Sequence, residues 1–438
     1  MIAGAGAVGY SLAWRFSYKH NVTVVDKDIQ KLNRIEENLD ILTLLGNVED
    51  PKTYQSLHFK EIDLFIAVTN SDEANLLSTL IVDDEMSVDR KIIRLKNDYF
   101  ANSQILKKLK IDDVVFPDIL TAQKVESLFN FPKANNVKSF IECRSKLISI
   151  RIQYDTQMRY RVCDFIDEDV AIIGIERKKD FFIPSSFNVI EEDDLIYFFG
   201  NIRTISKLSL KLNRRMPLDI KKVVIFGANP SAQKIVRSLL DKNLDIKIIE
   251  KNSKYCKMAS ELLQDSGTVI NSKFEEHKIF DSERLKDADI VIAAGENDEK
   301  NIVKCIEAKE YGIQKVVAIN NDNAYYSLMH QLGIVVVRGA KTGAHYAILE
   351  MIASSSIVNE NHFCGGKGVV FLRKIYPNSS LIDKKIKALN VEESLFYQLS
   401  NEKLYTQEEL MPIKEGDTII VFGKTENEDE IQKWIYSL

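Results

Sequence analysis

The sequence predicts an α/β fold written twice: a doubly wound parallel-sheet lobe followed by a small α+β lobe, and then the same pair again. Three observations carry this expectation. The chain opens on a glycine turn, Gly4-Ala-Gly6-Ala-Val-Gly9, and Asp26 closes the apolar run that follows. Short β-branched runs alternate with helical patterns through the first part of the chain, which is the signature of βαβ units. Four blocks of sequence then return in the same order at nearly one offset, as a duplicated unit would.

Taken in order, Met1, Ile2 and Ala3 make a short first strand. Gly4 permits the tight strand-to-helix turn, Gly6 lets the backbone approach a pyrophosphate, and Gly9 lets the helix pack closely on the sheet. Phosphate would sit on that helix N-terminus, where backbone N–H groups and the dipole favour negative charge. Asp26, 17 residues after Gly9, ends the second strand where a carboxylate accepts ribose hydroxyls, which favours NAD over NADP. The runs Leu64 to Val68, Lys91 to Leu95 and Asp113 to Phe116 read as further parallel strands, with helical patterns over Asn75 to Asp83 and Asn102 to Leu109. From about Val137 the grain changes to short strands such as Leu147 to Ile152 and Leu195 to Phe199, a small α+β module. Lys211 to Asp219, polar and carrying Pro217, reads as the linker between the two copies, and the basic strip Lys207 to Arg215 as solvated chain.

The copies match residue by residue. Gly4 returns as Gly227 at an offset of 223, and Val22 to Asp26 returns as Ile246 to Glu250 at 224. Asp63 to Asn75 returns as Asp289 to Asn301 at 226, and Asp194 as Asp417 at 223. The resulting boundaries are 1–133 for a first Rossmann-like lobe, 134–212 for its small lobe, 213–358 for a second Rossmann-like lobe and 359–438 for the last small lobe.

Composition narrows the class. At 438 residues, with 45% hydrophobic and 28% charged side chains, this is an ordinary globular chain. A net charge of −5 argues against nucleic acid as a partner. No run approaches the roughly 18 apolar residues of a membrane span and no signal pattern precedes the glycine turn, so a cytoplasmic location is expected. Five cysteines without a C-x-x-C pair and six scattered histidines predict neither a disulfide framework nor a metal site.

The glycine turn, the block Thr69-Asn70-Ser71-Asp72-Glu73 with Asn75, the segment Gly46 to Pro51 and the doubled lobe order together resemble the RCK, or KTN, regulators of potassium transport. Within them the likeness is to the tandem, TrkA-type peripheral subunits of the Trk uptake system, and it covers almost the whole chain. The resemblance implies a ligand-gated regulator and no catalyst: a dimer or tetramer ring lying on the inner face of the membrane through a potassium channel or transporter subunit. NAD or NADH, or ATP or ADP, would change its shape. Carried over by position, the nucleotide would meet the backbone of Gly4, Gly6, Ala7, Val8 and Gly9. Its ribose would meet Asp26 beside Lys27, its adenine edge Asn47 and Val48, and the crevice after the fourth strand would offer Thr69 and Asn70. Arg94 stands where the family often keeps an arginine near the phosphates, with Lys96 in place of its usual companion. The first small lobe and the last would be RCK C-terminal, TrkA-C-like lobes.

Several residues keep two readings. Glu73 either compensates the helix dipole in the first turn or contacts nucleotide or cation. The second turn keeps only Gly227, and Pro230 removes an N–H, so Gly227 and Glu250 are either a second nucleotide site or scaffold. Cys364 to Gly368 lacks P-loop spacing and reads as a hinge into the last lobe. The alternative function is an NAD-dependent oxidoreductase with two Rossmann lobes; neither nucleotide lobe is followed by a Y-x-x-x-K pairing, and duplication leaves no separate catalytic domain. A repressor would require a helix-turn-helix with a basic recognition helix, which neither half supplies.

Overall fold

β-Branched runs that end at a glycine or polar turn become strands, and the pattern of their partners places the site. A computed structural model of the chain describes residues 1–55, 57–59, 61–140, 142–152, 160–213, 219–272, 279–354, 358–377, 379–386 and 388–438. The proposed linker residues 214–218, the segment 273–278 with His277, and the end of the 213–358 lobe at 355–357 lie outside these.

The first sheet contains β1 (Ile2–Ala3), β2 (Thr23–Asp26), β3 (Leu42–Leu45), β4 (Glu61–Ala67), β5 (Ser87–Arg94) and β6 (Asp113–Val115), in the order β3-β2-β1-β4-β5-β6. All its pairs are parallel. The order reverses between β1 and β4, and in open α/β sheets that reversal makes a crevice at the carboxyl ends of the strands. The short β1 is prolonged by hydrogen bonds from Ile66 N to Met1 O and from Gly4 N to Val25 O.

A second sheet holds β7 (Asn136–Ser139), β8 (Lys146–Arg151), β9 (Val170–Arg177), β10 (Asp180–Phe182) and β11 (Leu195–Gly200), all antiparallel. The third repeats the first in strand order: β12 (Lys222–Phe226), β13 (Asp245–Glu250), β14 (Gly267–Asn271), β15 (Ile290–Ala293), β16 (Lys315–Asn320) and β17 (Val335–Arg338) run β14-β13-β12-β15-β16-β17. The fourth repeats the second in kind, with β18 (Val358–Phe363), β19 (Gly368–Lys374), β20 (Ser394–Ser400), β21 (Lys403–Thr406) and β22 (Thr418–Lys424) antiparallel in the order β18-β19-β22-β20-β21. Two parallel-sheet lobes, each followed by an antiparallel one, is the architecture expected from the duplication.

The chain packs as two compact units, of which the first joins Met1–Gln123 to Asn320–Asn323 and Arg338–Met351. Its core sets Val25, Phe65, Ala67 and Ile93 of the first sheet against Val82 of the helix Asp72–Glu85. The helix Ala340–Ser354, from the second copy, adds to it: Arg90 pairs with Asp113 at 2.6 Å and donates to Met351 O at 2.8 Å, and Thr121 Oγ1 donates to Arg338 O at 3.0 Å. The other unit takes Lys124–Ile319, Ala324–Val337 and Ile352–Leu438. In it the two antiparallel sheets share one apolar core, where Phe199 packs edge-on to Phe422 at 5.1 Å and Phe181 to Phe363 at 5.4 Å.

Three local expectations differ from what forms. Asn102 to Leu109 holds only a single helical turn, Ile105–Lys108, after a 3-10 turn at Asp98–Asn102, because the stretch buries none of the helix residues. Lys207 is part of the helix Ile202–Ser209, whose Ile205 and Ser209 are buried, so the basic strip begins as the outer face of a packed helix. Cys364 to Gly366 is a tight turn with Cys364 and both glycines at positive φ, joining β18 to β19 inside the last lobe, since Phe363 pairs directly with Gly368.

Candidate functional site

Gly4 sits at φ +109°, and a Cβ there would stand 3.0 Å from the Thr69 amide nitrogen. Gly9 cannot carry a side chain either, because its Cβ would come within 1.8 Å of the Gly4 carbonyl oxygen. These two glycines seat the helix Ala7–Ser17 against the β1–β4 crevice. Gly6 differs from both. It is the N-cap at φ −69°, ψ −175°, a conformation open to any residue, and a Cβ there meets nothing within 4 Å. No side chain caps this helix. The glycine therefore leaves an open cradle in front of an uncapped helix N-terminus, the geometry that accepts a pyrophosphate.

Asp26 closes β2 beside this cradle, half-buried, with each oxygen holding one backbone N–H: Oδ2 accepts from Ala5 N at 2.7 Å and Oδ1 from Asp28 N at 2.9 Å. Its first task is to staple the glycine turn to the second strand. Each carboxylate oxygen retains a further acceptor position for a hydroxyl. Lys27 and Asn47 are exposed, whereas Val48 is buried with its carbonyl accepting from Tyr54 Oη at 2.9 Å.

On the other side of the crevice, the sequence block after β4 folds around one residue. Asn75 is 1% exposed; its Oδ1 accepts from Thr69 N at 2.8 Å and Thr69 Oγ1 at 2.7 Å, and its Nδ2 donates to Arg94 O at 2.7 Å. Asn75 thus locks the loop after β4 to the end of β5. Asp72 adds a second lock by accepting from Lys96 N and Asn97 N, while Lys96 Nζ donates to Asn70 O at 2.6 Å. Neither Asn75 nor Asp72 was expected among the site residues, although the doubled motif contained both. Glu73 is exposed and accepts from Ser71 Oγ at 2.7 Å, a hydrogen bond that lowers its carboxyl below the usual range. Arg94 is 7% exposed and its buried Nε has no hydrogen-bond partner. Burial lowers its guanidinium from the ordinary value, against the pull of Asp118 and Asp72. Arg94 ends β5, one strand beyond the crevice, and a buried guanidinium N–H without an acceptor is a donor left unsatisfied by the protein itself.

The lock gives a stability prediction. Asn75→Ala leaves the Thr69 amide and the Arg94 carbonyl without their partner, and should destabilise the first unit by about 2–4 kcal/mol. Trp14 lies in that unit, so its fluorescence during urea unfolding in a Trp434→Phe background reads the change directly.

The second copy rebuilds the same frame and fills it. Gly227 repeats Gly4 at φ +111°, and Glu250 repeats Asp26, accepting from Ala228 N at 2.7 Å and Asn252 N at 2.8 Å. Asn301 repeats Asn75, bonded to Gly295 N, Gly295 O and Ile319 O. The cradle is where the copies part. Asn229 stands in the place of Gly6; its Oδ1 caps the helix Pro230–Leu239 by accepting from Ala232 N at 2.9 Å, and its Nδ2 donates to Ala294 O at 2.9 Å. Pro230 follows at the first helical position, where an N–H would have faced the ligand. Glu250 is 6% exposed, more deeply covered than Asp26.

No helix of the described residues is long and apolar enough to cross a membrane. Among known proteins, the family model of the TrkA-N domain matches residues 1–117 and 223–338, the two parallel-sheet lobes. The Trk system potassium uptake protein TrkA of Halomonas elongata is 27% identical over 368 residues, 82% of this chain and 80% of that protein. The TrkA homolog of Archaeoglobus fulgidus is 25% identical over 440 residues, 99% of this chain and 98% of that protein. The solved structure of the GsuK channel bound to NAD superposes with a TM-score of 0.63 at 16% identity, spanning 100% of this chain and 78% of that one, a likeness of fold.

Proposed function

The chain belongs to the TrkA-N domain family, and from that premise we propose that it is a nucleotide-binding regulatory subunit of a potassium-uptake system, built from lobes 1–133, 134–212, 213–358 and 359–438. The observation that carries this reading is the uncapped cradle at Gly6, with Asp26 beside it holding the glycine turn. Pyrophosphate rests on the backbone of Gly6, Ala7, Val8 and Gly9, the ribose on Asp26 beside Lys27, and the adenine edge against Asn47 and Val48. Thr69, Asn70 and Glu73 border the far side. A bound nucleotide supplies negative charge and a diol, and no group in the crevice is required to move a proton. Thr69, Asp72 and Lys96 are already engaged in holding the loop. NAD or NADH, and ATP or ADP in competition, then bias the shape of a dimer or tetramer ring that acts on a membrane potassium channel or transporter subunit at the cytoplasmic face.

The second turn is a scaffold in this reading: Gly227 keeps the bend and Glu250 the staple, while Asn229 occupies the anion position. Calorimetry with NAD, NADH, ATP and ADP should therefore give one site per chain. Asp26→Ala should weaken NAD or NADH by about 1–2 kcal/mol, the scale of a charge-assisted hydrogen bond to ribose. Two equal sites, or an unchanged Asp26→Ala affinity, would contradict the assignment. The competing oxidoreductase reading predicts hydride turnover by the purified chain, which this proposal forbids.

A further inference from the structure

Outside the crevice, one group of side chains converges with no task in the regulatory reading. β18 is an edge strand of the last sheet, and strand alternation puts Val358, Glu360 and His362 on one face. That face is covered by the helix Glu428–Ser437, whose Ile431 and Ile435 pack with Val358, Val369 and Phe371. The helix begins at Glu428 directly over His362. His362 Nε2 lies 2.8 Å from Glu428 Oε2, and its Nδ1 lies 4.0 Å from Glu360 Oε1. Each of the three residues offers a ligand atom within 4.8 Å of the others, which among the described residues happens at this place alone.

A carboxylate at a helix start is ordinarily dipole compensation. Here the partners come from another element, and two carboxylates bracket one half-buried imidazole. We propose that Glu360, His362 and Glu428 form a binding site for one divalent transition-metal cation of the zinc class, tying the C-terminal helix to the edge strand of the last lobe. Metal–donor bonds of about 2.1 Å at the tetrahedral angle separate ligand atoms by roughly 3.4 Å, within the 4.8 Å that spans the three ligand atoms here. Because Glu428 faces Nε2 and Glu360 faces Nδ1, the cation binds one ring nitrogen and the other carboxylate turns to meet it. One imidazole with two carboxylates suits Zn²⁺, leaving a fourth position for water, whereas Ca²⁺ and Mg²⁺ prefer oxygen-only sets. The cation would offset the repulsion of two carboxylates and close the edge of the sheet.

The test uses the full chain, stripped with a chelator and titrated with Zn²⁺, Ca²⁺ and Mg²⁺ by calorimetry and thermal melting. The expected result is one Zn²⁺ per chain with a rise in melting temperature, and no matching response to Ca²⁺ or Mg²⁺. His362→Ala should lower Zn²⁺ affinity at least about 100-fold, and Glu360→Gln at least about tenfold, with both variants melting like the metal-free parent. Glu360→Gln, a conservative change, keeps the test usable if His362→Ala folds poorly. An absent Zn²⁺ response, a Zn²⁺ affinity unchanged in both variants, or an equal response to Mg²⁺ would overturn the site and leave the nucleotide reading untouched.

Discussion

Gly6→Val is expected to abolish nucleotide binding, a loss of about 3 kcal/mol or more and so some hundredfold in Kd, in a chain that folds as well as its parent. The two halves of that statement rest on different facts. A Cβ at Gly6 meets nothing within 4 Å beyond its chain neighbours and needs no positive φ, so the free protein can accept a substitution there. The same space is where the pyrophosphate must lie to reach the N-terminus of the helix Ala7–Ser17, and the valine branches would exclude it. Gly9→Val makes the contrast, since its Cβ collides with the Gly4 carbonyl oxygen and should unfold the lobe outright. Calorimetry for affinity and circular dichroism for folding separate the two variants.

For a regulator the consequence extends to transport. If nucleotide biases a ring between two shapes, potassium uptake in a Gly6→Val strain should lose its response to nucleotide while the protein remains bound to its membrane partner. Coupling between sites is reciprocal, so partner binding should change nucleotide affinity by the factor that nucleotide changes partner affinity. Uptake that still answers normally to nucleotide would remove the first crevice from the gating role.

The parts of this molecule that were legible in the sequence are those whose causes are local. The Gly4 turn and its second copy at Gly227 could be read because glycine there answers to backbone geometry within a few residues. The duplication was legible because the same local solutions recur at a fixed offset. The role of Asn75 was hidden, although the residue stood inside the motif, because its acceptor Arg94 O is 19 residues further along the chain. Asn229 carried a readable signal, an N-cap residue ahead of a proline, yet that it fills the cradle becomes evident only when its amide is seen reaching Ala294 O, 65 residues away. The shared core of the two antiparallel sheets and the Arg90 bond to Met351 O, 261 residues distant, are properties of packing that periodicity does not encode.

Lys315 supplies the second large effect, and its sign follows from burial. It begins β16, is 1% exposed, and donates Nζ to the carbonyls of Pro132 and, at 3.1 Å, Ala134. Those bonds hold the entry to the first small lobe on the third sheet, within one compact unit. Removing the ammonium from water pushes its pKa down to about 7, against an unfolded value near 10.4. Between these values the unfolded chain binds one more proton than the folded one, so stability rises with pH, by up to about 1.4 kcal/mol per unit. Below pH 7 both states hold the proton and the slope vanishes. The buried Cys305 and Cys364 thiols, pushed up to about 12, act in the opposite direction as pH climbs past the free-thiol range, and comparison with a variant cancels them. Lys315→Met removes the titration, and although it also leaves two carbonyls without their donor, that loss does not depend on pH. The stability of the parent relative to Lys315→Met should therefore grow by about 2 kcal/mol between pH 7 and pH 9, followed by Trp434 fluorescence in urea. A difference that stays flat across that range would mean that the two carbonyls hold Lys315 charged in the folded protein, and that this joint between lobes is fixed by an ammonium instead of loosening and tightening with its proton.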